Sequence, residues 1–172
     1  MNLPPTPYPS LSQDAAVVLA LAETAVPHAA SAEDEAERWV RIMRLHGEVG
    51  CALQSLGVAE APLETAAYEP ERRSWRLKAR GEDVVEVVSR RTVGAAIGRG
   101  AKVAGTIDVL SAVLQTYDRT FERALYLRGT SSAELLSCLE RRAIPQAARR
   151  ADSPDEDAHP PAQNAGPLVE ST

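Results

Sequence analysis

The chain contains few of the residues on which cross-linking and metal binding depend. Of its 172 residues only two are cysteine and three are histidine. Two widely separated cysteines, Cys51 and Cys138, give little support for a disulfide framework, and neither has a cysteine or histidine partner at the spacing of a zinc site. We therefore expect no metal site and a reducing, cytoplasmic setting. Both cysteines are predicted to be small core residues.

Aromatic residues and long apolar runs are also scarce. Aromatics make up 4% of the chain, which argues against an aromatic-rich sandwich or barrel. The longest unbroken apolar run, residues 15–22, is far shorter than the roughly 20 residues that span a bilayer, so no transmembrane helix is expected. No basic residue precedes that run, and a secretory signal peptide is therefore not indicated.

The charge balance excludes a general affinity for polyanions. The formal net charge is −5 and the isoelectric point is near 5.3. Binding to nucleic acid or to anionic lipid depends on clustered lysine and arginine, which an acidic chain does not supply overall. We expect the partner to be another protein, with no nucleic acid and no membrane involved. The oligomeric state is left open.

Catalytic constellations are missing as well. His46 is five residues from Cys51, which places the two side chains about 140° apart on a helix. Residues 94–102 contain glycines and a lysine, but their spacing is not that of a phosphate-binding loop and the lysine is followed by Val103. The chain is accordingly expected to be no enzyme and to need no cofactor.

Helical signals dominate what is present. The apolar residues are mostly alanine, leucine and valine, and they recur at helical spacing, as in the stripe that includes Trp39, which is predicted to lie in the core. Ser10 or Ser12, Ser31 and Ser131 mark helix starts, and Thr106 is predicted to cap a further helix. The fold class expected from these patterns is all-α.

The chain contains a stretched copy of itself. Residues 52–58 recur in character at 124–130, and Gly57 and Gly129, each a predicted helix stop, are 72 residues apart. Upstream of each glycine lies the same series of an apolar helix, a polar start signal and a second apolar helix. The predicted organisation is an extended arm (1–9), a helical domain (10–142) of repeat one (10–67), connector (68–81) and repeat two (82–142), and a disordered tail (143–172). Eight helices result, including one near residues 60–67.

This series resembles the double-repeat N-terminal domain of the Clp ATPases. Residues 17–22 match the family's first helix, residues 105–110 its second helix start, and residues 53–58 the close of its repeat. The resemblance covers most of residues 11–141. It implies two pseudo-symmetric four-helix Clp-type repeats forming one domain, and a non-catalytic module that docks adaptors or substrates for a Clp unfoldase or protease system. Because no phosphate-binding loop is found, such a module is not expected to unfold proteins itself; the roles left open are capturing a substrate, occupying an adaptor and joining a Clp assembly in trans.

The resemblance also suggests partner-binding residues. In some family members an acidic residue at the start of each repeat's second helix helps to bind phosphorylated arginine. Glu35 or Glu37 would fill that place in repeat one, whereas Ile107 occupies it in repeat two with Asp108 beside it. Whether phosphoarginine recognition survives is therefore open, as is the plainer reading of the acids as a solvated helix start. Trp75 in the connector is a further candidate anchor.

One alternative function rests on the connector. Five basic residues surround Trp75 between residues 71 and 80. A helical regulator that binds nucleic acid through this segment is the second reading. In a chain that is acidic overall, a solvated linker is the simpler account of these charges.

Overall fold

A computed structural model describes residues 8–59 and 83–151, with side chains as far as residue 143. Four predicted features lie outside these residues in whole or in part: the extended arm up to residue 7, the helix expected near residues 60–67, the basic connector with Trp75, and the tail from residue 152 onward. The predictions made for them stay predictions.

The described chain is built almost entirely of helices. They are α1 (Gln13–Ala25), α2 (Ala32–Arg44), α3 (Gly47–Ser55), α4 (Val84–Gly98), α5 (Thr106–Tyr117), α6 (Arg119–Tyr126) and α7 (Ser132–Ala151). A 3-10 turn, Val26–His28, follows α1, and two strands of two residues each complete the described elements, β1 (Ser10–Leu11) and β2 (Val103–Ala104). The prediction of a mostly helical fold is confirmed. Within the described residues no helix combines the length and the apolarity needed to cross a membrane.

Serine caps fix three of the helix starts. The hydroxyl oxygens of Ser12, Ser31 and Ser131 each accept a hydrogen bond from the amide three residues further along, at 3.2 Å in every case. Glu134 completes a capping box by accepting from the Ser131 amide at 3.0 Å. These starts are where the sequence placed them.

The start of α5 differs from the prediction by one residue. Gly105 is the N-cap, and Thr106 is the first helical residue instead. The Thr106 hydroxyl is buried and accepts a long hydrogen bond of 3.5 Å from the Val49 amide at the start of α3. Thr106 therefore links α5 to α3 and does not cap its own helix.

The predicted glycine stops are confirmed. Gly57 and Gly129 both have φ +78, a left-handed conformation that side chains other than glycine rarely adopt. In both turns the residue after the glycine donates its amide to the carbonyl five residues earlier, at 3.0 Å after Gly57 and 3.2 Å after Gly129. This is the Schellman arrangement, which satisfies carbonyl groups that the helix end leaves free.

A short parallel pairing joins the segments before α1 and α5. Ser10 pairs with Val103 and Leu11 with Ala104. The amide of Ser10 donates to the Lys102 carbonyl at 3.1 Å. The all-α prediction contains no strands. This pairing of two residues on each side is therefore a small difference between the structure and the prediction.

The core lies where α2 meets its neighbours. α2 packs against α1, α3, α5 and α6, and α4 packs against α1 and α5. The largest fully buried side chains include Trp39, Phe121, Met43 and Leu110. Trp39 is thus a core residue, as predicted. Cys138 is buried as expected, but Cys51 is exposed on α3, so the prediction that both cysteines lie in the core is wrong for Cys51.

The helix contacts follow a reciprocal pattern. We call α1–α3 the first half and α4–α6 the second half. The second helix of the first half, α2, packs against α6, the third helix of the second half. Conversely, α3 packs against α5, and α2 and α5 also contact each other, whereas α1 contacts α5 without a contact of comparable size between α4 and α2.

The described residues up to Leu139 belong to one compact unit, and a second unit begins at Glu140. Of the second unit, the structure describes residues 140–151 as the continuation of α7. The helix therefore continues past residue 142, where the predicted helical domain ends, and it includes Pro145.

Candidate functional site

Glu35, the first candidate docking acid, lies inside the protein. Its side chain is on the inner side of α2 and the residue is only 6% exposed. It is hydrogen-bonded to Tyr117 at the end of α5, and the indole N–H of Trp39 donates to the same Tyr117 oxygen at 3.1 Å. Burial raises the pKa of the Tyr117 phenol far above its usual range, and the negative charge of Glu35 acts in the same direction. These three side chains form a buried polar link between α2 and α5.

Glu37, the second candidate, is bound to the opposite half. Its Oε2 accepts from the guanidinium of Arg128, which follows α6, through Nε at 3.2 Å and through a closer contact with Nη2. Arg128 also donates to the carbonyl of Ala59 at 3.3 Å, and its side chain is only 4% exposed. The other oxygen of Glu37, Oε1, is buried without a hydrogen-bond partner. The pair therefore ties α2, α6 and the chain after α3 together.

The carboxylate of Asp108, the third candidate, is hydrogen-bonded to other groups of its own chain. It is 1% exposed and accepts two hydrogen bonds from Arg99, one of 2.9 Å to Oδ1 and one of 2.6 Å to Oδ2. The amide of Gly105 donates to Oδ2 at 2.8 Å. This bidentate contact raises the pKa of Arg99. Asp108 thus joins the end of α4 to the beginning of α5.

The first half contains an aspartate in the same role. Asp34 is the third residue of α2, as Asp108 is of α5, and it accepts from the Ala30 amide at 3.0 Å. Its two oxygens accept from Arg38 at 3.1 and 3.0 Å. Burial alone would raise the pKa of Asp34, but the hydrogen bonds from Arg38 and Ala30 outweigh it and hold that pKa below its usual value.

The correspondence of Asp34 with Asp108 was not predicted from the sequence, although a signal for it was present. Each stands three residues after an N-cap position, Ser31 in one half and Gly105 in the other. Counting from these caps sets Asp34 opposite Asp108 and places Glu33 opposite Ile107. One oxygen of Glu33, Oε2, is buried without a hydrogen-bond partner. Asp34 and Asp108 each accept a hydrogen bond from a backbone amide just before their helix, and this shared geometry positions the starts of α2 and α5.

The remaining candidate chemistry is sparse among the described residues. His46 is the N-cap of α3 without a side-chain capping bond, and Cys51 lies exposed on the same helix. Within residues 8–59 and 83–143, no three histidine, cysteine, aspartate or glutamate side chains are grouped so that they could hold a metal ion. Trp75, the fourth predicted partner-binding residue, lies outside the described residues.

Apolar side chains at the surface are the more conspicuous feature. Within residues 8–59 and 83–143, the exposed large apolar residues are Tyr8, Leu11, Val17, Leu21, Leu45, Ile97, Val103, Tyr126, Leu127 and Leu136. They are distributed over several elements, and exposed apolar residues of this kind are common on protein surfaces. No protein-family model matches the chain, and no curated protein sequence matches it significantly. A proposal for the function therefore rests on the hydrogen bonds, helix contacts and side-chain exposures described above.

Proposed function

We propose that this chain is a non-catalytic protein-interaction module of the Clp N-domain type, built from two pseudo-symmetric four-helix repeats. It would dock adaptors or substrates for a Clp unfoldase or protease system. The observation that carries the proposal is the reciprocal packing of α2 on α6 and of α3 on α5, with α2 against α5 between them. Two copies of one unit related by a twofold axis produce contacts of this kind, because residue sets exchange roles across the axis.

Matching local devices support the same reading. They recur in the same order in each half: the N-caps Ser12 and Asp83, the third-position aspartates Asp34 and Asp108, and the stop glycines Gly57 and Gly129. The spacings between the members of each pair differ by at most three residues, which the loops between helices absorb. The shared order of a start, a carboxylate and a stop supports the reading of the two halves as copies of one unit.

Docking through Glu35, Glu37 and Asp108 stays a prediction with a specific requirement. Each carboxylate has an internal partner: Tyr117, Arg128 and Arg99, respectively. A ligand that used any of them would have to displace that partner, and a buried charge left without its partner is costly. Binding through exposed side chains needs no such rearrangement.

The direct test is binding of the full chain to a purified Clp-type ATPase. Interferometry would compare the intact ATPase hexamer, the same hexamer without its N-domains, and the adaptor and substrate proteins of that system. Saturable binding to one of these, with a changed rate of degradation of the bound substrate, is the expected result. Failure to bind any of them at about 100 μM, an affinity weaker than about −5.5 kcal/mol, would reject the docking function.

The architectural part has a separate test. In an experimental structure of the full chain, the backbone from Ser12 to Gly57 should superimpose on the backbone from Asp83 to Gly129, helix for helix. Halves that do not superimpose would remove the kinship with the Clp repeat even if a protein partner were found. The two experiments thus distinguish a wrong fold relationship from a wrong partner.

A further inference from the structure

α1 is apolar on both of its sides although only one side is packed. Residues 15–22 are all alanine, valine or leucine. Four of them are buried in the core: Ala15, Val18, Leu19 and Ala22. The other four are exposed: Ala16, Val17, Ala20 and Leu21. An apolar helix side is usually packed against a neighbour, and the described residues leave this side of α1 exposed.

We define the outer face of α1 as the exposed residues Gln13, Ala16, Val17, Ala20, Leu21 and Thr24. Val17 and Leu21 are one turn apart, and none of the six residues is charged. The helix in the corresponding place of the second half, α4, instead exposes Glu86, Arg90 and Arg91. The uncharged face is therefore a property of α1 and not a consequence of the fold.

The charged residues of α1 itself all have the same sign. α1 contains two acidic residues and no lysine, arginine or histidine. Both acids, Asp14 and Glu23, are exposed. In helical projection Asp14 lies about 60° from Val17 on one side and Glu23 about 120° from it on the other. A ligand seated on the apolar strip would meet a carboxylate at each edge, and complementary basic groups there would favour its binding.

This charge pattern decides between possible occupants. A second copy of the chain that placed its own α1 on this face would add two more carboxylates and, from α1, no basic group to complement them, so charge would contribute weak repulsion and no attraction. An anionic lipid surface would meet the same repulsion, and helices that lie on membranes carry lysine and arginine on their polar side. A basic protein segment meets neither objection.

We infer that the outer face of α1 docks an amphipathic helix of a partner protein, apolar on the contacting side and carrying lysine or arginine along both edges of that side. This mode is a helix laid against an apolar strip, anchored by residues one turn apart. It does not depend on the Clp resemblance, because only the exposure and charge of α1 enter it. A chain that failed to bind any Clp protein would still present this face.

The test uses the full chain and a designed fluorescein-labelled peptide helix of about 14 residues, with leucines at helical spacing flanked by lysines. Fluorescence anisotropy would compare the wild type, the double variant Val17→Ser with Leu21→Ser, and the control Leu127→Ser, which removes another exposed leucine, at the end of α6. We expect the double variant to weaken binding about tenfold or more and the control to change it less than about twofold.

Two further arms separate the apolar from the electrostatic part. A peptide with glutamate in place of lysine, and one with serine in place of leucine, should both fail to bind. Asp14→Asn combined with Glu23→Gln should weaken binding and reduce its dependence on salt concentration. Circular dichroism melting of each variant confirms that it is folded, which is expected because all the substituted side chains are exposed.

Several results would overturn the inference. Equal binding of the lysine peptide to the wild type and to the Val17/Leu21 variant would place the peptide elsewhere, and no binding at all would reject this partner chemistry. Sedimentation that shows self-association of the wild type but not of the variant would assign the face to a second copy. Binding to vesicles containing phosphatidylserine that the same variant abolishes would assign it to a lipid surface.

Discussion

At the scale of single residues, one backbone conformation stands out. Asp118, between α5 and α6, has φ +44 and ψ −117, which is a strained conformation for any residue with a side chain. The corresponding N-cap of α3 in the first half is His46, whose backbone is extended with φ −133 and ψ 135. We expect Asp118→Gly to raise the free energy of unfolding by about 1 kcal/mol, since relief of strain exceeds the greater chain entropy of glycine. Urea denaturation checks this, and Asp118→Ala, which keeps the strain, should give no such gain.

Two helical glycines should respond in opposite ways to the same substitution. A Cβ atom on Gly50 would lie 2.7 Å from the carbonyl oxygen of Arg44 and 2.9 Å from that of Met43, which are backbone atoms that cannot move aside cheaply. Gly50→Ala should therefore destabilise the fold by about 2 kcal/mol. Gly94, exposed on α4 with nothing within 4 Å of its Cβ position, should gain about 0.5–1 kcal/mol from the same change. Similar effects of the two substitutions would contradict the close approach of α2 and α3.

Tyr117 should give the fold a distinct alkaline limit. Burial, with the charge of Glu35 adding to it, raises the pKa of the phenol in the folded chain, whereas in the unfolded chain it ionises near pH 10. Below that pH the phenol is protonated in both the folded and the unfolded chain, so it does not make the free energy of unfolding depend on pH. Above it, the free energy of unfolding should fall by up to about 1.4 kcal/mol per pH unit, because only the unfolded state loses the proton.

Tyr117→Phe provides the comparison for that limit. At neutral pH it should cost about 1–3 kcal/mol, since the Trp39 indole N–H loses its acceptor inside the core. Above about pH 10 the difference between the variant and the wild type should shrink, because the variant has no phenol to ionise at this position. Urea unfolding between pH 8 and 10.5 measures both curves, and parallel curves would show that Tyr117 is not buried as described.

At the scale of elements, features that depend on neighbouring residues in the sequence were predicted better than features that depend on contacts between distant residues. The start at Ser31 and the stop at Gly57 could be predicted because their hydrogen bonds lie within a few residues of sequence. The burial of Glu35 could not, since an acidic run at a helix start is usually solvated and its partner Tyr117 is far along the chain. Cys51 was misplaced for a related reason: on the nine-residue α3, the periodicity is too short to distinguish an inner from an outer position.

The candidate site illustrates the same limit. Sequence reasoning selected the acidic residues Glu37 and Asp108 but could not see the arginines that hold them. Arg128 reaches Glu37 across the interface between the halves, and Arg99 reaches Asp108 across a turn whose shape depends on the β1–β2 pairing nearby. The residue types were informative about charge, and only the packing decided whether each charge faces a partner protein or the chain itself.

The tie between α2 and α6 has a measurable strength. The side chains of Arg128 and Glu37 are 4% and 17% exposed, so removing one leaves a largely buried charge unpaired. Arg128→Met alone should cost about 3–5 kcal/mol. Adding Glu37→Gln should recover part of that loss, because the remaining carboxylate charge is gone. A double-mutant cycle by denaturant unfolding measures the coupling, and strictly additive effects would mean that the pair does not form.

At the scale of the whole molecule, the arrangement of the halves makes them interdependent. The sequence repeat predicted two similar units, but it could not say how one unit covers the other. In the structure α2 is covered by α5 and α6, and α3 by α5, so neither half buries its own apolar surface alone. A unit that depends on its neighbour for its core is expected to unfold together with it.

The fluorescence of Trp39 tests whether the two halves unfold together. The chain contains two tryptophans, so in a Trp75→Phe background the fluorescence reports on Trp39, buried in the first half. Leu110→Ala empties part of the core in α5 of the second half and should cost about 2–5 kcal/mol. If the halves unfold as one, the Trp39 transition should shift to lower urea by the same amount as the circular dichroism transition of the whole chain. If the midpoint of the Trp39 transition stayed unchanged while the circular dichroism midpoint moved, the first half would be stable by itself. The packing of α2 on α6 and of α3 on α5 would then contribute little to the stability of the first half.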